Sequence, residues 1–465
     1  MSTSLRLGAF RQLDGTDGGA LNLPAHHLVT HGCVLGMTGS GKTGLVTVLV
    51  EEALRTQVPV LVIDVKGDLP NLLLSFPSFS AEHVLPWADG ARAPNDERPL
   101  DVIAAELATE RKHGLSQWSI DETELAAFRR NTRVRVVTPG SPAGESLHML
   151  SSLERRSDRW DTDPDSARAA LSAAVSLVLR LLGRDHDPAK SREHVLLCVL
   201  AERRLAASAP ADLSSLLDDL DTPPIDRIGA LDIDEFISKR ERRELSAALN
   251  TLLASPTFAS WRQGMSLDIG EWMTDAERTP ATIVSVAHLD DEERALVLGV
   301  LLEELLSWVR SLSGSQRLRA LVVFDEVYGF LPPYPANPPT KRPLVALMKQ
   351  ARAFGVGVVI ATQNPMDLDY RALGNAGTWW LGRLQTDADR ARVIDGLNAS
   401  TDIAAKAGKA RGTPDLAQLL GRLAPRWFVM RDARLVDGAV LMQPRWTMSF
   451  MKGPMTSSEL RLARE

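Results

Sequence analysis

The chain has 465 residues, 44% of them hydrophobic and 24% charged, and its formal net charge is −6. This composition is typical of a soluble protein with roughly two to four structural units. The acidic balance excludes a surface that is basic throughout, although not a basic pore. Two cysteines, Cys33 and Cys198, cannot form a disulfide framework, and no apolar run reaches the roughly 20 residues that span a bilayer. We therefore expect a cytoplasmic protein without a membrane segment.

The first apolar run leads into VLGMTGSGKTGLV, residues 34–46. Gly36, four further residues and Gly41-Lys42-Thr43 match the phosphate-binding pattern G-x-x-x-x-G-K-[ST]. Glycines let successive backbone N–H groups converge on a phosphate at the start of a helix. In such a loop Lys42 bridges the β- and γ-phosphates and the Thr43 hydroxyl binds Mg²⁺. The pattern predicts a site for ATP and Mg²⁺ formed by Gly36, Thr38, Gly39, Ser40, Gly41, Lys42, Thr43 and Gly44.

A second buried strand, VPVLVID, is predicted to end in Asp64. The following VKGD contains Asp68, which either shapes the side of the nucleotide crevice together with Asp64 or is a surface turn residue. Further along, residues 100–130 are predicted to be mostly helical, and another strand is predicted near residues 133–138. We assign residues 1–150 to the first part of an ATPase core.

Residues 151–275 are rich in apolar positions at helical spacing, as in DSARAALSAAVSLVLRLLG and KRERRELSAALNTLLAS. They predict an all-α insertion that caps the core. The charged run ISKRERRE, residues 237–244, is either a solvated helix face or a contact for nucleic acid. His194 and Cys198 have the spacing of metal ligands on a helix, but no second His/Cys pair completes a coordination shell, so they predict ordinary packing.

The core resumes at residues 276–450, where the strand PATIVSVAHLD and a long apolar helix precede the strand in RALVVFDEVYGF. This last strand has the apolar, β-branched pattern of a central parallel strand, and it ends in Asp325 and Glu326. Acids at that end face a nucleotide crevice. We predict that Asp325 binds Mg²⁺ through water and that Glu326 is the base that polarises the attacking water. A helix cap or a surface turn is the alternative.

The next strand, GVGVVIATQNP, ends in Gln363, whose amide is able to hydrogen-bond the γ-phosphate or the attacking water. Arg352 precedes Gln363 by eleven residues (363 − 352 = 11) and cannot easily turn back to its own nucleotide. Either it reaches a neighbouring subunit's γ-phosphate as an arginine finger, or it is a surface arginine in a basic helix with Lys349. The Pro-rich stretch at residues 329–344 is either a pore-facing loop or interface clamp, or a rigid connector.

The remaining segments complete the predicted sheet. It is expected to be parallel with helical crossovers, and one further strand should separate the P-loop strand from the acidic strand. The alternating pattern of RWFVMRDARLVDGAVLMQPRWTMSFMKGP predicts a hairpin or edge strands near the C-terminus. Residues 451–465 are predicted to be a tail with a short polar helix.

Five motifs in this order resemble the HerA/FtsK superfamily of ring-forming ATPases, and HerA-like ATP-binding proteins most: VLGMTGSGKTGLV, LVIDVKGD, VVFDEV, KQARAFGVGVVIATQNP and GTWWLGRLQTDADRARVIDGL. The resemblance extends over residues 25–75 and 240–450. It implies an α/β fold with a RecA-like P-loop NTPase core around a central parallel sheet, and a homo-hexameric ring with ATP at each subunit interface. On this pattern Lys42 and Thr43 match the Walker A pair, Asp325 and Glu326 the Walker B pair, Gln363 the sensor and Arg352 the arginine finger, with Arg383 as a second candidate for a trans arginine.

One departure from the family concerns the segment before the P-loop. HerA translocases usually carry an N-terminal β-barrel of about a hundred residues, whereas only about 30 residues precede the P-loop here, too few to close a barrel. The sequence therefore does not predict the surface through which such helicases often recruit a nuclease.

The residues and the resemblance together imply Mg²⁺-dependent ATP hydrolysis by a hexameric ring that translocates or unwinds double-stranded DNA in its central pore. An alternative of a different class is a regulatory or scaffolding ATPase ring that controls a partner effector, such as a nuclease in a defence or repair complex. A third is a secretion-type motor, which would ordinarily need a membrane anchor or partner. Stimulation of turnover by DNA, with strong salt dependence, distinguishes the first from the second.

Overall fold

A computed structural model describes residues 4–464, apart from residues 13, 91–96, 155, 365–367, 375, 385, 402–415, 422, 433 and 435–438. Within these residues eleven strands form one sheet. In chain order they are β1 (Ser4–Arg11), β2 (Asp17–Pro24), β3 (Gly32–Leu35), β4 (Val60–Asp64), β5 (Thr132–Val137), β6 (Thr279–Ser285), β7 (Ser315–Asp325), β8 (Phe354–Thr362), β9 (Thr378–Leu381), β10 (Phe428–Asp432) and β11 (Ala439–Pro444).

The parallel centre of the sheet has the strand order β9-β3-β8-β7-β4-β6-β5. β8 lies between β3, which leads into the P-loop, and β7, which ends in Asp325, so the predicted intervening strand is confirmed. Because the carboxyl ends of parallel strands meet at one edge, the residues that follow β3, β4, β7 and β8 are brought together there.

Buried apolar residues on both faces explain why these strands form the middle of the sheet. All five residues of β4 are buried. Leu61 and Ile63 pack into the core cluster on one face, and Val60 and Val62 pack into the cluster on the other. A strand that buries both faces in this way requires helices above and below the sheet.

Helices cover both faces of the sheet. The apolar side chains of the first three long helices and of the last one pack on the face that contains Val62, and those of the remaining long helices pack on the face that contains Ile63. In chain order the long helices are α1 (Lys42–Arg55), α2 (Leu100–Ser116), α3 (Glu122–Asn131), α4 (Pro164–Leu181), α5 (Arg192–Ala206), α6 (Leu213–Asp221), α7 (Lys239–Ala254), α8 (Asp291–Ser311), α9 (Lys341–Gln350), α10 (Asp387–Thr401) and α11 (Ser457–Arg464). Shorter helical turns lie at Ala25–Thr30, Leu69–Leu73, Ala81–Val84, Leu85–Trp87, Ser151–Glu154, Arg159–Thr162, Ile233–Phe236, Pro256–Phe258, Ala259–Arg262, Ile269–Trp272, Ala351–Ala353, Tyr370–Leu373 and Leu416–Gly421.

The segment predicted as an all-α insertion is predominantly helical and packs on the core. Its helix α4 lies against α8, and the apolar residues of α4–α7 join the same cluster as one face of the sheet. The segment also takes part in two short strand pairings that the sequence does not predict, Leu147–His148 with Met265–Ser266 and Arg227–Ile228 with Leu231–Asp232. The division of the chain at residues 150 and 275 stays a prediction.

Both ends of the chain extend the parallel sheet with antiparallel strands. β10 and β11 form the hairpin predicted near the C-terminus, and the sheet continues in the order β9-β10-β11-β1-β2. The pairing of β1 with β2, which occupies the segment before the P-loop, is not predicted from the sequence. Among the described residues, none of the helices has the length and apolar character needed to cross a membrane.

Candidate nucleotide-binding site

The P-loop connects β3 to α1, as the motif requires. Gly39 and Gly41 have φ angles of 78° and 92°, a left-handed conformation that glycine adopts at little cost. α1 begins at Lys42, and Gly41 at its N-cap provides no side chain for the first backbone N–H groups. These N–H groups and the positive end of the helix dipole therefore form a receptor for an anion.

Two neighbouring strands hold the P-loop in place. The Gly36 amide donates to the Thr362 carbonyl at the end of β8 (3.3 Å), and the Met37 amide donates to the Arg383 carbonyl just after β9 (2.9 Å). Arg383 itself is exposed. The structure thus puts the backbone of this second candidate arginine beside the P-loop of its own chain, and its action in trans stays a prediction.

Two buried carboxylates lie side by side at the carboxyl edge of the sheet. Asp325 at the end of β7 is in register with Asp64 at the end of β4. Among the described residues, neither oxygen of the Asp325 carboxylate has a hydrogen-bond partner, and burial raises its pKa. Burial, and then the charge of Asp325, raise the pKa of Asp64 to about 7. Unpartnered carboxylate oxygens beside a phosphate-binding loop are ligands that suit Mg²⁺ or its bound water.

Glu326 is held on both of its carboxylate oxygens. Oε2 pairs with Lys42 Nζ (3.0 Å) and Lys66 Nζ (2.7 Å), and Oε1 accepts hydrogen bonds from Thr362 Oγ1 (2.9 Å) and from the Gln363 amide (3.2 Å). Burial alone would raise the pKa of Glu326, but Lys42 and Lys66 outweigh it, so this pKa lies below its ordinary value. The backbone of Glu326 has a φ of 63°, an uncommon conformation for a non-glycine residue that is often found at functional sites.

The other predicted site residues at this edge are brought together with Glu326. Lys42 Nζ also lies 3.7 Å from Asp325 Oδ1. The side-chain carbonyl of Gln363 accepts a hydrogen bond from Thr38 Oγ1 (2.8 Å), which joins the end of β8 directly to the P-loop. The structure therefore gathers the P-loop, the acidic pair and the amide into one site.

Arg352 lies at the opposite edge of the sheet. It is exposed in the Ala351–Ala353 turn that precedes β8, whereas Gln363 follows β8. A nine-residue strand is roughly 30 Å long, so Arg352 cannot reach the P-loop of its own chain. It lines a cavity of about 810 Å³ together with Lys349 and Arg434. This placement agrees with both predicted alternatives for Arg352, an arginine finger that acts on a neighbouring subunit and a surface arginine.

Lys66 is the site residue that sequence reasoning missed. The motif LVIDVKGD draws attention to its acids, but the lysine two residues after β4 is the group that contacts Glu326. The strand order could have indicated Lys66, because β4 and β7 are neighbours in the sheet and a residue just past β4 therefore lies beside the end of β7. Asp68 is only partly exposed, and Lys66 and Lys42 oppose the burial that raises its pKa. This position favours the crevice over a fully solvated turn for Asp68.

Cations of the Pro-rich stretch and of the charged run at residues 237–244 form ion pairs within the chain. In the Pro-rich stretch, Lys341 lies 3.6 Å from Asp369 and Arg342 lies 2.7 Å from Glu303. In α7, Arg242 is buried and contacts Asp234 at 2.9 Å. These ion pairs favour the connector for the first segment and a structural helix face for the second.

The His194 and Cys198 pair belongs to the packing of α5. His194 Nε2 lies 3.1 Å from the Ser172 carbonyl, and burial lowers the His194 pKa. Among the described residues no group of three or more His, Cys, Asp or Glu side chains could hold a metal ion by itself.

The family comparison agrees with this geometry. The family model described as "Helicase HerA, central domain" matches residues 20–129, which include the P-loop, α1 and β4. This segment is of the HerA/FtsK type. The HerA-type segment therefore supplies the phosphate-binding loop and Lys66, while the acidic pair comes from a part of the chain beyond the match.

Solved structures resemble nearly the whole chain in fold. VirB4 of Thermoanaerobacter pseudethanolicus superposes with a TM-score of 0.51 at 13% identity and covers 96% of each chain, which shows a RecA-like P-loop NTPase fold. The bacterial conjugative coupling protein TrwB, in a form lacking its N-terminal segment, aligns at 12% identity over 96% of this chain and 92% of its own, with a TM-score of 0.46. No curated protein sequence matches the chain. The predicted fold class is confirmed, and the predicted family resemblance is confirmed over residues 20–129.

Gly41→Ala is expected to weaken ATP binding at least about tenfold. The left-handed φ costs a residue with a Cβ about 1–2 kcal/mol, and the new methyl group would lie 3.1 Å from Arg426 Cα and Cγ. Equilibrium titration with a fluorescent ATP analogue measures the effect. Gly183→Ala is the matched control, because Gly183 has a φ of 67° with open space around it and lies away from the P-loop. Equal affinities of the two variants would contradict the prediction.

Proposed function

We propose that the chain is a cytoplasmic, Mg²⁺-dependent ATPase that assembles as a homo-hexameric ring and couples hydrolysis to the translocation or unwinding of double-stranded DNA. The observation that carries the ATPase part is the convergence of Lys42, Asp325, Glu326 and Gln363 on the P-loop. A phosphate-binding loop, a cation, a metal-ligating acid and a base are the groups that phosphoryl transfer to water requires.

Each side chain has a definable task in this reaction. Lys42 and the N–H groups of the P-loop bind the phosphates, while Thr43 and Asp325 would hold Mg²⁺, which supplies further positive charge. Thr362 and the Gln363 amide fix Oε1 of Glu326, so the carboxylate is already oriented toward the crevice where it would polarise water.

Lys42 couples nucleotide binding to the availability of the general base, Glu326. Lys42 Nζ pairs with Oε2 of Glu326 at 3.0 Å. Because one ammonium group cannot serve the phosphates and this carboxylate equally well, ATP draws Lys42 away and leaves Oε2 with Lys66 alone. The base therefore becomes more available when its substrate is present.

A ring explains the position of Arg352. Its guanidinium is exposed about a strand length from its own P-loop, in a cavity that it shares with Lys349 and Arg434. In a ring of identical subunits, this edge of one protomer would face the nucleotide of the next. Arg352 would then stabilise charge that develops on the γ-phosphate during transfer.

The second candidate is a regulatory or scaffolding ring that controls an effector protein such as a nuclease. The pairing of Lys341 with Asp369 and of Arg342 with Glu303 favours it, because a loop that grips DNA phosphates needs unpaired cations. The net charge of −6 agrees with this alternative.

Turnover of ATP with and without duplex DNA tests the proposal. For a motor we expect DNA to stimulate hydrolysis severalfold, and the stimulation should fall steeply as salt rises because counterions are released on binding. Lys42→Ala is the control and should show no turnover in either condition. If turnover is high but indifferent to DNA at every salt concentration, the translocation part is wrong and the regulatory ring is favoured.

A further inference from the structure

Arg426 forms part of the wall of the P-loop. It lies in the turn that precedes β10, with a left-handed φ of 64°. A methyl group placed on Gly41 would lie 3.1 Å from Arg426 Cα and Cγ, so the two backbones are in close contact. An arginine held in an uncommon backbone conformation against residue 41 of the phosphate loop is a candidate for function.

The side chain of Arg426 contacts a tryptophan that follows the last strand of the sheet, β11. Its guanidinium lies 5.5 Å from the centre of the Trp446 ring, within the range of a cation–π contact. Trp446 is itself fixed by Arg111, whose guanidinium lies 5.0 Å from the ring, and by Gly114, where any Cβ would come within 2.4 Å of the indole. The guanidinium of Arg426 is therefore positioned before any ligand arrives.

The charge of Arg426 has no carboxylate partner among the described residues. The contrast with Arg445 is direct, because both arginines belong to a Pro-Arg-Trp sequence and Arg445 pairs with Glu51 at 2.9 Å. Partial burial lowers the pKa of Arg426. Arg426 is exposed, so its charge is accessible to an anion bound at the P-loop.

We propose that Arg426 binds a phosphate group of the nucleotide held in the P-loop of the same chain, and that Trp446 is its positioning residue. The inference rests on the proposed nucleotide binding. A triphosphate carries more negative charge than Lys42 and one Mg²⁺ neutralise. A cation on a side chain that contacts residue 41 supplies additional positive charge for the phosphate oxygens.

The test measures equilibrium binding of ATP and of inorganic tripolyphosphate, by competition with a fluorescent ATP analogue on the full chain. Arg426→Met keeps the aliphatic contacts with Gly41 and Trp446 but removes the charge. We expect it to weaken both ligands about tenfold or more. Arg426→Lys should recover most of that loss, and Arg129→Ala, which removes an exposed arginine of α3, is the matched control that should bind as the wild type.

The outcomes separate the inference from the function on which it rests. Unchanged affinity of Arg426→Met for tripolyphosphate overturns the phosphate contact. This holds even if the variant binds ATP more weakly, since that result would indicate a contact with the adenine base instead. A wild-type chain that binds no nucleotide overturns the proposed function as well. If Arg426→Met does not fold, Arg426→Lys decides: its affinity must lie near that of the wild type for both ligands, and a tenfold loss would refute a role that depends on charge.

Discussion

Glu326→Gln is expected to lower the rate of ATP hydrolysis by about 10²–10⁴-fold, the usual contribution of a general base. The amide keeps the size of the side chain and its contact with Thr362, but it cannot accept a proton from the attacking water. ATP should still bind, and with equal or higher affinity, because Lys42 no longer has an anionic competitor for the phosphates. Steady-state turnover and equilibrium nucleotide binding, measured on the same preparation, check both parts.

Two comparisons sharpen this result. Lys42→Ala should lose binding and turnover together, which separates a defect in phosphate binding from a defect in proton transfer. Turnover by Glu326→Gln at the wild-type rate would refute the assignment of the base and leave Asp325 or Asp64 as the acids to examine.

Glu326→Gln, combined with Arg352→Ala, also tests whether neighbouring subunits share a catalytic site. Arg352→Ala should also lose turnover while it retains nucleotide. Mixed rings of Glu326→Gln and Arg352→Ala should recover part of the activity, because some interfaces would join an intact glutamate to an intact arginine. Full activity of Arg352→Ala alone would refute the trans arginine.

The parts of the site that the sequence predicts are those in which the chemistry is local. The P-loop needs glycines at fixed spacing, and the acids and the amide sit at the ends of strands whose buried faces are evident from their apolar runs. A parallel sheet then brings the ends of β3, β7 and β8 to one edge whatever the intervening loops do. For this reason Gln363 could be placed near Glu326 from the sequence alone.

The contacts that sequence reasoning missed join residues far apart in the chain. Arg426 reaches Gly41 and Trp446 reaches Gly114 only because β10 and β11 extend the sheet from β9, the strand that pairs with the P-loop strand β3. The β2 strand was missed for a local reason, since DGGALNLP begins with glycines that carry no alternating apolar pattern. Two-residue strands such as Arg227–Ile228 have no periodicity to detect.

Arg445→Met is expected to lower the free energy of unfolding by about 3–5 kcal/mol, the loss that follows when one partner of a buried ion pair is removed. Arg445 Nη1 lies 2.9 Å from Glu51 Oε2, and Arg445 Nη2 lies 3.0 Å from Glu52 Oε1. The side chains of both glutamates are fully buried and that of Arg445 is 3% exposed. Without Arg445, Glu52 would keep only Arg55 as its cation, and Glu51 would lose its ion pair in a medium that solvates a carboxylate poorly. Urea denaturation followed by circular dichroism measures the change.

The matched control is Arg240→Ala, which breaks an exposed pair with Glu244 and should change the free energy of unfolding by no more than about 0.5 kcal/mol. A second variant distinguishes charge from packing: adding Glu51→Gln to Arg445→Met removes a stranded anion and should recover part of the stability. A loss below about 1 kcal/mol for Arg445→Met would contradict a buried pair. Because Glu51 lies on the helix that begins at Lys42, and Arg445 immediately precedes Trp446, this pair also fixes the C-terminal segment beside the P-loop, so its loss should weaken nucleotide binding even in molecules that remain folded.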